Sequence, residues 1–241
     1  MSATTTAKTV RDLALQDPNA TRVFERFGID YCCGGGTSLE DACRARKLSL
    51  LEVTNALEAP AASHQAGAGR NWQVEPLADL IAHIKQTHHK FTRDEIARLT
   101  ALSDKVCSVH GERHPELLHL RTIFRGLAQE LATHMLKEEM VLFPYIIRIE
   151  EAVLQGEPIV PAPFGSVQNP ITMMNSEHDS AGRALRALRE ASDDYTPPAD
   201  TCVSYQTLYS SLAAFEQDLH QHIHLENNIL FPRVLAMEST S

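Results

Sequence analysis

The chain has 241 residues and a formal net charge of −9, with 22 Lys and Arg against 31 Asp and Glu and no basic run. That balance offers no footprint for a phosphate backbone or an anionic lipid surface, so neither nucleic acid nor membrane is an expected partner. No window approaches the roughly 18 uninterrupted apolar residues of a membrane span and the start lacks an apolar signal core, which predicts a cytoplasmic protein.

Residues 1–58 read as a small helical module. Asp17-Pro18-Asn19 separates two short amphipathic stretches, Val10 to Gln16 and Ala20 to Phe27. The chain then reaches Gly28-Ile-Asp-Tyr-Cys32-Cys33-Gly34-Gly35-Gly36, and three consecutive glycines predict a loop rather than a helix interior. Ser38 with Asp41, and Ser49 with Glu52, have capping-box spacing and predict two further short helices. Residues 59–75 read as a linker, opening on the Ala, Gly and Ser of APAASHQAGAGR.

From residue 76 to 241 the chain reads as four long helices in a bundle, and the fold class is all-α. The first helix is expected from Pro76 to Val106, with Leu77, Ile81, Ile84, Phe91, Leu99 and Leu102 near one face. The second is expected from Pro115 to about Glu151. The third is expected to be capped by Asn169-Pro170 and to end near Ser192, and the last to span Asp200 to Ala236.

One motif occurs twice. His134-x3-Glu138-x3-Leu142-Phe143-Pro144 is matched by His222-x3-Glu226-x3-Leu230-Phe231-Pro232. On a helix, residues four apart share a face, so each copy aims an imidazole and a carboxylate at one point. If the bundle is a duplicated helix pair, the first and third helices should carry matching histidines. His178 lies seven and ten residues before Leu185 and Leu188, and subtracting 89 gives His89 before Ile96 and Leu99. A competing argument comes from the Ile81, Ile84, Phe91 stripe, which puts His88 nearer its centre.

The resulting set is His89, His134, Glu138, His178, His222 and Glu226. Six inward donors exceed one tetrahedral zinc, whereas mixed imidazole and carboxylate ligation suits iron or manganese, with each glutamate able to bridge two metals. The remaining histidines, His64, His83, His110, His114, His119, His220 and His224, have no such partner and read as surface or supporting residues. Leu142-Phe143-Pro144 and its repeat read as packing plus a kink, and Met135, Met140, Met173 and Met174 as core filler.

Five cysteines make an odd count, which fits a reducing compartment. Cys32 and Cys33 read either as small buried residues in a tight turn or as a redox thiol pair in a mobile loop, where exposed backbone N–H groups would favour a thiolate. Cys43, Cys107 and Cys202 have no positional logic.

The bundle resembles haemerythrin-like domains. Asp30-Tyr31-Cys32-Cys33-Gly34-Gly35 upstream of Ser176-Glu177-His178-Asp179 and His222-x3-Glu226-Asn-Asn-x-Leu-Phe-Pro is similar to the iron–sulfur cluster repair di-iron proteins, the repair of iron centres family. The likeness covers essentially the whole chain. It implies two non-haem iron ions, oxo- or hydroxo-bridged, held by His89, His134, His178, His222, Glu138 and Glu226. It implies a cytoplasmic stress-response protein, often a homodimer, that restores damaged iron–sulfur proteins or serves their assembly machinery, with iron donation as the route. The alternative it carries is nitric oxide binding, scavenging or reduction at the di-iron centre, with Cys32 and Cys33 as redox thiols. Oxygen-carrying haemerythrins usually have a further histidine where this chain has Gly182, which argues against reversible oxygen transport.

Overall fold

A computed structural model of the chain describes residues 8–32, 34–59 and 70–239, with the backbone alone at Pro18 and Asn19. Cys33 and linker residues 60–69 lie outside the described residues. Among those described the fold is all-α, with only two isolated β-bridges. No helix is long and apolar enough to cross a membrane. The described residues form two compact units. One holds the chain up to Pro76 together with His220–Pro232, and the other holds Leu77–Leu219 and the residues from Arg233 onward.

The first unit contains α1 (Val10–Gln16), α2 (Pro18–Arg26), α3 (Leu39–Ala45) and α4 (Leu50–Glu58). Three N-caps come from hydroxyls: Thr9 accepts from the Asp12 amide, Ser38 from Asp41 and Ser49 from Glu52, each satisfying an amide that a helix start leaves open. Val10, Leu13, Phe24, Ile29, Tyr31, Leu39, Cys43 and Val53 form its core. The described part of the glycine loop is hydrogen-bonded to the start of α1. Arg11 N donates to Gly35 O at 2.8 Å and Val10 N to Thr37 O at 3.0 Å. A Cβ on Gly35 would lie 2.5 Å from the Tyr31 carbonyl, so only glycine fits there. Gly28 takes φ +63°, the left-handed turn that ends α2.

In the second unit, α5 (Leu77–His83) and α6 (Lys90–His110) are joined by a π turn, Ile84–His89. α7 (Glu116–Lys137) leads through a π turn, Glu138–Leu142, into α8 (Phe143–Gln155), and α9 (Gln168–Ala191) has no such break. The last helix is continuous in sequence through both units: α10 (Val203–Leu225), a π turn at Glu226–Leu230, and α11 (Phe231–Ser239). The repeated Pro144 and Pro232 explain two of the π turns. Proline has no N–H for the carbonyl four residues back and crowds it. One residue earlier, the Phe143 amide bonds Glu138 O and the Phe231 amide bonds Glu226 O, each spanning five residues. The expected kink is thus a local widening of the helix.

Several sequence expectations shift for physical reasons. Beyond the π turn at Ile84–His89, Thr92 and Ser103 are buried where Phe91 and Leu102 were expected, while Leu99 is buried as expected. Met135 and Met174 are core, but Met140 and Met173 are 70% and 53% exposed and do not fill it. Asn169 does not cap the third helix. Its side chain donates to Phe164 O, and the Val167 amide is taken by Glu238. Another distant carboxylate, buried Glu150, accepts from the Leu77 and Ala78 amides at 2.6 and 2.9 Å and fixes the start of α5.

Candidate metal centre

The π turns sit at the site. His89 ends one, and Glu138 and Glu226 each open another, at positions where the backbone departs from the regular 3.6-residue phase. In the second unit a chain of short contacts runs through four of the expected residues. His89 Nε2 lies 3.4 Å from Glu138 Oε2, His134 Nε2 lies 3.3 Å from Glu138 Oε1, and His178 Nε2 lies 3.0 Å from His134 Nε2. In the first unit His222 Nε2 lies 3.1 Å from Glu226 Oε1, the same i, i+4 arrangement as His134 and Glu138.

The structure gathers these donors into two sets, each with its atoms within 4.8 Å of one another. One is His89, Glu138, His222 and Glu226; the other is His134, Glu138, His178 and Glu226. The sets share both glutamates and divide the four histidines two and two. Glu138 and Glu226 are fully buried, a state that costs a carboxylate dearly unless a cation or a close set of donors compensates. The donor set therefore fits a metal.

The outer nitrogens of two of these histidines are held by carboxylates that the sequence reading did not single out. His89 Nδ1 donates to Glu139 Oε1 at 2.7 Å, and Arg93 bonds that same oxygen. His134 Nδ1 donates to Glu177 Oε2 at 2.8 Å, and Lys137 bonds the other oxygen. With Nδ1 donating, Nε2 presents its lone pair to the centre. Burial pushes the Glu139 and Glu177 carboxyls up. Hydrogen bonds and charge from His89 and Arg93, and from Lys137 and His134, outweigh it and hold both below the ordinary carboxylate value. Glu139 follows Glu138 and Glu177 precedes His178, so an acid adjacent to an inward residue was the available signal. His89 also stacks on Phe143, one of the repeated phenylalanines, at 5.7 Å.

His88 is buried but belongs to neither set; its Nδ1 is 3.0 Å from Asp218 Oδ1. Cys32 is 5% exposed, and its backbone N–H is taken by Asp30 Oδ1 with Sγ 3.3 Å from the same oxygen, so the expected exposed loop N–H groups are not offered there. His224, expected at the surface or in support, is buried. It accepts from Asn228 at 2.9 Å, and burial draws its pKa down to about 4 against a hydrogen bond to the Tyr31 backbone. Asn228 donates to the Tyr31 carbonyl, and the Tyr31 hydroxyl donates to Glu25. A groove of about 650 Å³ lies between α7 and α9; Gly126, His134, Lys137, Glu177, His178 and Arg183 line it.

A helical bundle whose inward histidines and glutamates form two overlapping donor sets defines a cation-binding bundle protein. A family model described as the Hemerythrin HHE cation binding domain matches residues 79–234, and one described as a domain of unknown function, ScdA_N, matches residues 6–61. The "Probable iron-sulfur cluster repair protein" of Haemophilus influenzae is 35% identical over 224 residues, 93% of this chain and 95% of the relative. The "Iron-sulfur cluster repair protein YtfE" of Musicola paradisiaca is 35% identical over 235 residues, covering 96% and 98%. The protein of that name from Escherichia coli is 36% identical over 228 residues, covering 94% and 96%. The chain belongs to this family of YtfE-type proteins with a hemerythrin domain.

Proposed function

We propose that this chain is a non-haem di-iron protein that takes part in repairing iron–sulfur clusters damaged by nitrosative or oxidative stress. The observation that supports this most directly is the overlap of the two donor sets in Glu138 and Glu226. Each glutamate offers two oxygens, so both can bridge, and each ion then receives two imidazoles, His89 and His222 for one and His134 and His178 for the other. Bound iron would supply redox chemistry and positions open to small ligands. The chain's own residues orient the imidazoles through Glu139 and Glu177 and keep the two bridging carboxylates dry. Damaged iron–sulfur proteins, or the machinery that assembles their clusters, are the partners in this reading, and the protein works in the cytoplasm, as a homodimer.

A second reading, nitric oxide binding or reduction at the same centre, is favoured by the groove that His134 and His178 help to line. Gly182, buried on the same helix as His178, stands where oxygen-carrying haemerythrins usually have a further histidine. Cys32 serves as a redox thiol in this reading only if its loop opens, since it is buried.

The test is restoration of activity to a cluster enzyme inactivated by nitric oxide. Wild-type protein is expected to restore it with about two irons per chain, an iron count that follows from two four-donor sets. Glu138→Ala and Glu226→Ala are expected to lose iron and repair together, whereas His88→Ala keeps both. Nitrous oxide over repeated turnovers without repair would transfer the assignment to the second reading.

A further inference from the structure

Two histidines expected to be unpartnered, and a cysteine without positional logic, meet where the connection from α6 to α7 adjoins the start of α10. His110 is the last residue of α6 and is buried, with Nε2 3.1 Å from Cys202 Sγ. His114, one turn on, has its amide on the His110 carbonyl at 2.8 Å and its Nε2 3.5 Å from Asp200 Oδ2. The pattern is His110-x3-His114 with Asp200-x-Cys202: two nitrogens, a carboxylate oxygen and a thiol. We propose that His110, His114, Asp200 and Cys202 form a second metal site, for a single zinc-like ion, that pins the α6–α7 connection to the start of α10.

Three observations carry this. First, the ligand types are those of four-coordinate zinc, and the two separations of 3.1 and 3.5 Å resemble the edges, about 3.3 to 3.6 Å, of a tetrahedron with zinc's bond lengths. Second, His114 is oriented as a ligand is. Its Nδ1 donates to Glu116 Oε1 at 3.1 Å, and Glu116 also accepts from the Tyr205 hydroxyl at 3.4 Å. That bond leaves the lone pair on Nε2, which is buried, makes no hydrogen bond and faces a second acceptor, the Asp200 carboxylate. Third, the two rings are fixed by packing. Both lie edge-on to Tyr205, at 5.6 and 5.4 Å, and 6.2 Å from each other.

Unlike those of the bundle centre, no three of these four donors lie within 4.8 Å of one another; they meet as two pairs. The two members that must turn inward are the exposed ones, Asp200 and Cys202. They lie just before α10, where the Cys202 carbonyl already accepts from the Tyr205 and Gln206 amides. Binding releases the Cys202 thiol proton to solvent and forms the metal–sulfur bond.

The test uses the full chain, loaded with iron anaerobically, and cobalt(II) as the visible probe for zinc. One cobalt per chain is expected, with the intense bands of tetrahedral cobalt and a thiolate charge-transfer band, both abolished by added zinc. Cys202→Ser should remove the charge-transfer band and His114→Ala should remove cobalt binding, each with iron content unchanged. Glu116→Gln should weaken zinc binding about 10- to 100-fold while keeping the thiolate band, as loss of an orienting carboxylate does. The proposal is overturned if cobalt shows only weak octahedral bands, or if its spectrum survives both Cys202→Ser and His114→Ala. It is equally overturned if the bands disappear in Glu138→Ala rather than in those variants, because cobalt then occupies the bundle centre.

Discussion

At the scale of single residues, the centre depends on carboxylates that accept the outer proton of its imidazoles. Glu139 and Glu177 touch the outer nitrogens of His89 and His134, and each is anchored by a cation, Arg93 or Lys137. Replacing either with Gln keeps the shape but removes the charge that makes the imidazole a stronger donor. Glu139→Gln and Glu177→Gln are each expected to lower iron affinity about 10- to 100-fold. Competition with a chelator measures this, and unchanged affinity would assign these carboxylates to surface pairing alone. His224 makes a different prediction. Its pKa is about 4 in the folded chain against an ordinary 6.5, so between those values the unfolded chain takes up a proton that the folded chain refuses. The stability carried by neutral His224 is complete above about pH 6.5 and falls by about 3 kcal/mol on acidification to pH 4. The depressed carboxyls of Glu139 and Glu177 act with the same sign in a more acidic window: their contribution is present above the ordinary carboxylate value and is lost as the pH falls below it. Urea midpoints at pH 7 and pH 5 should therefore fall for the wild type by an amount worth about 2 kcal/mol. His224→Gln should show a shallower slope, and an equal slope in both would remove His224 as the cause.

At the scale of elements, helix phase decides which residues meet. The repeated His-x3-Glu motifs were legible because one turn of helix is short enough for sequence spacing to fix geometry. The repeat also selected His89, and the structure puts His89 with Glu138 and turns His88 to Asp218. The stripe argument for His88 fails because it assumes an unbroken period through Ile84–His89, and no proline marks that π turn in the sequence. The two proline-marked π turns were legible only as kinks. The methionines test phase directly. Met174 is buried and its neighbour Met173 half-exposed on α9; Met135 is buried on α7 and Met140 exposed within the following π turn. Met135→Ala and Met174→Ala are expected to cost about 2–5 kcal/mol, as buried large-to-small changes do. Met140→Ala and Met173→Ala should stay within about 0.5 kcal/mol. Denaturant midpoints at constant slope would check all four.

At the scale of the whole molecule, the six donors are spread from residue 89 to residue 226 and come from every long helix, three of them at the edges of π turns. What sequence could not supply was the partner of each long-range contact. Glu150 holding the start of α5, Glu238 holding Val167, and Cys202 against His110 each join residues more than 70 positions apart, with no periodic signal to reveal them. That same dispersion has a thermodynamic consequence. A chain that brings its donors together only when folded binds the ion in the folded state and scarcely in the unfolded one, so loading is linked to folding. Iron at 1,000 times its dissociation constant would then stabilise the fold by about 4 kcal/mol. In a bundle of this size that is an upward shift of the order of 10 °C in the thermal midpoint. Stripping the metal anaerobically should lower the midpoint, and adding ferrous iron back should restore it in proportion to occupancy. Glu226→Ala should melt at one temperature with and without iron, because losing a carboxylate common to both donor sets disrupts both at once. If that variant still gains stability from iron, the two sets are independent sites and not one centre.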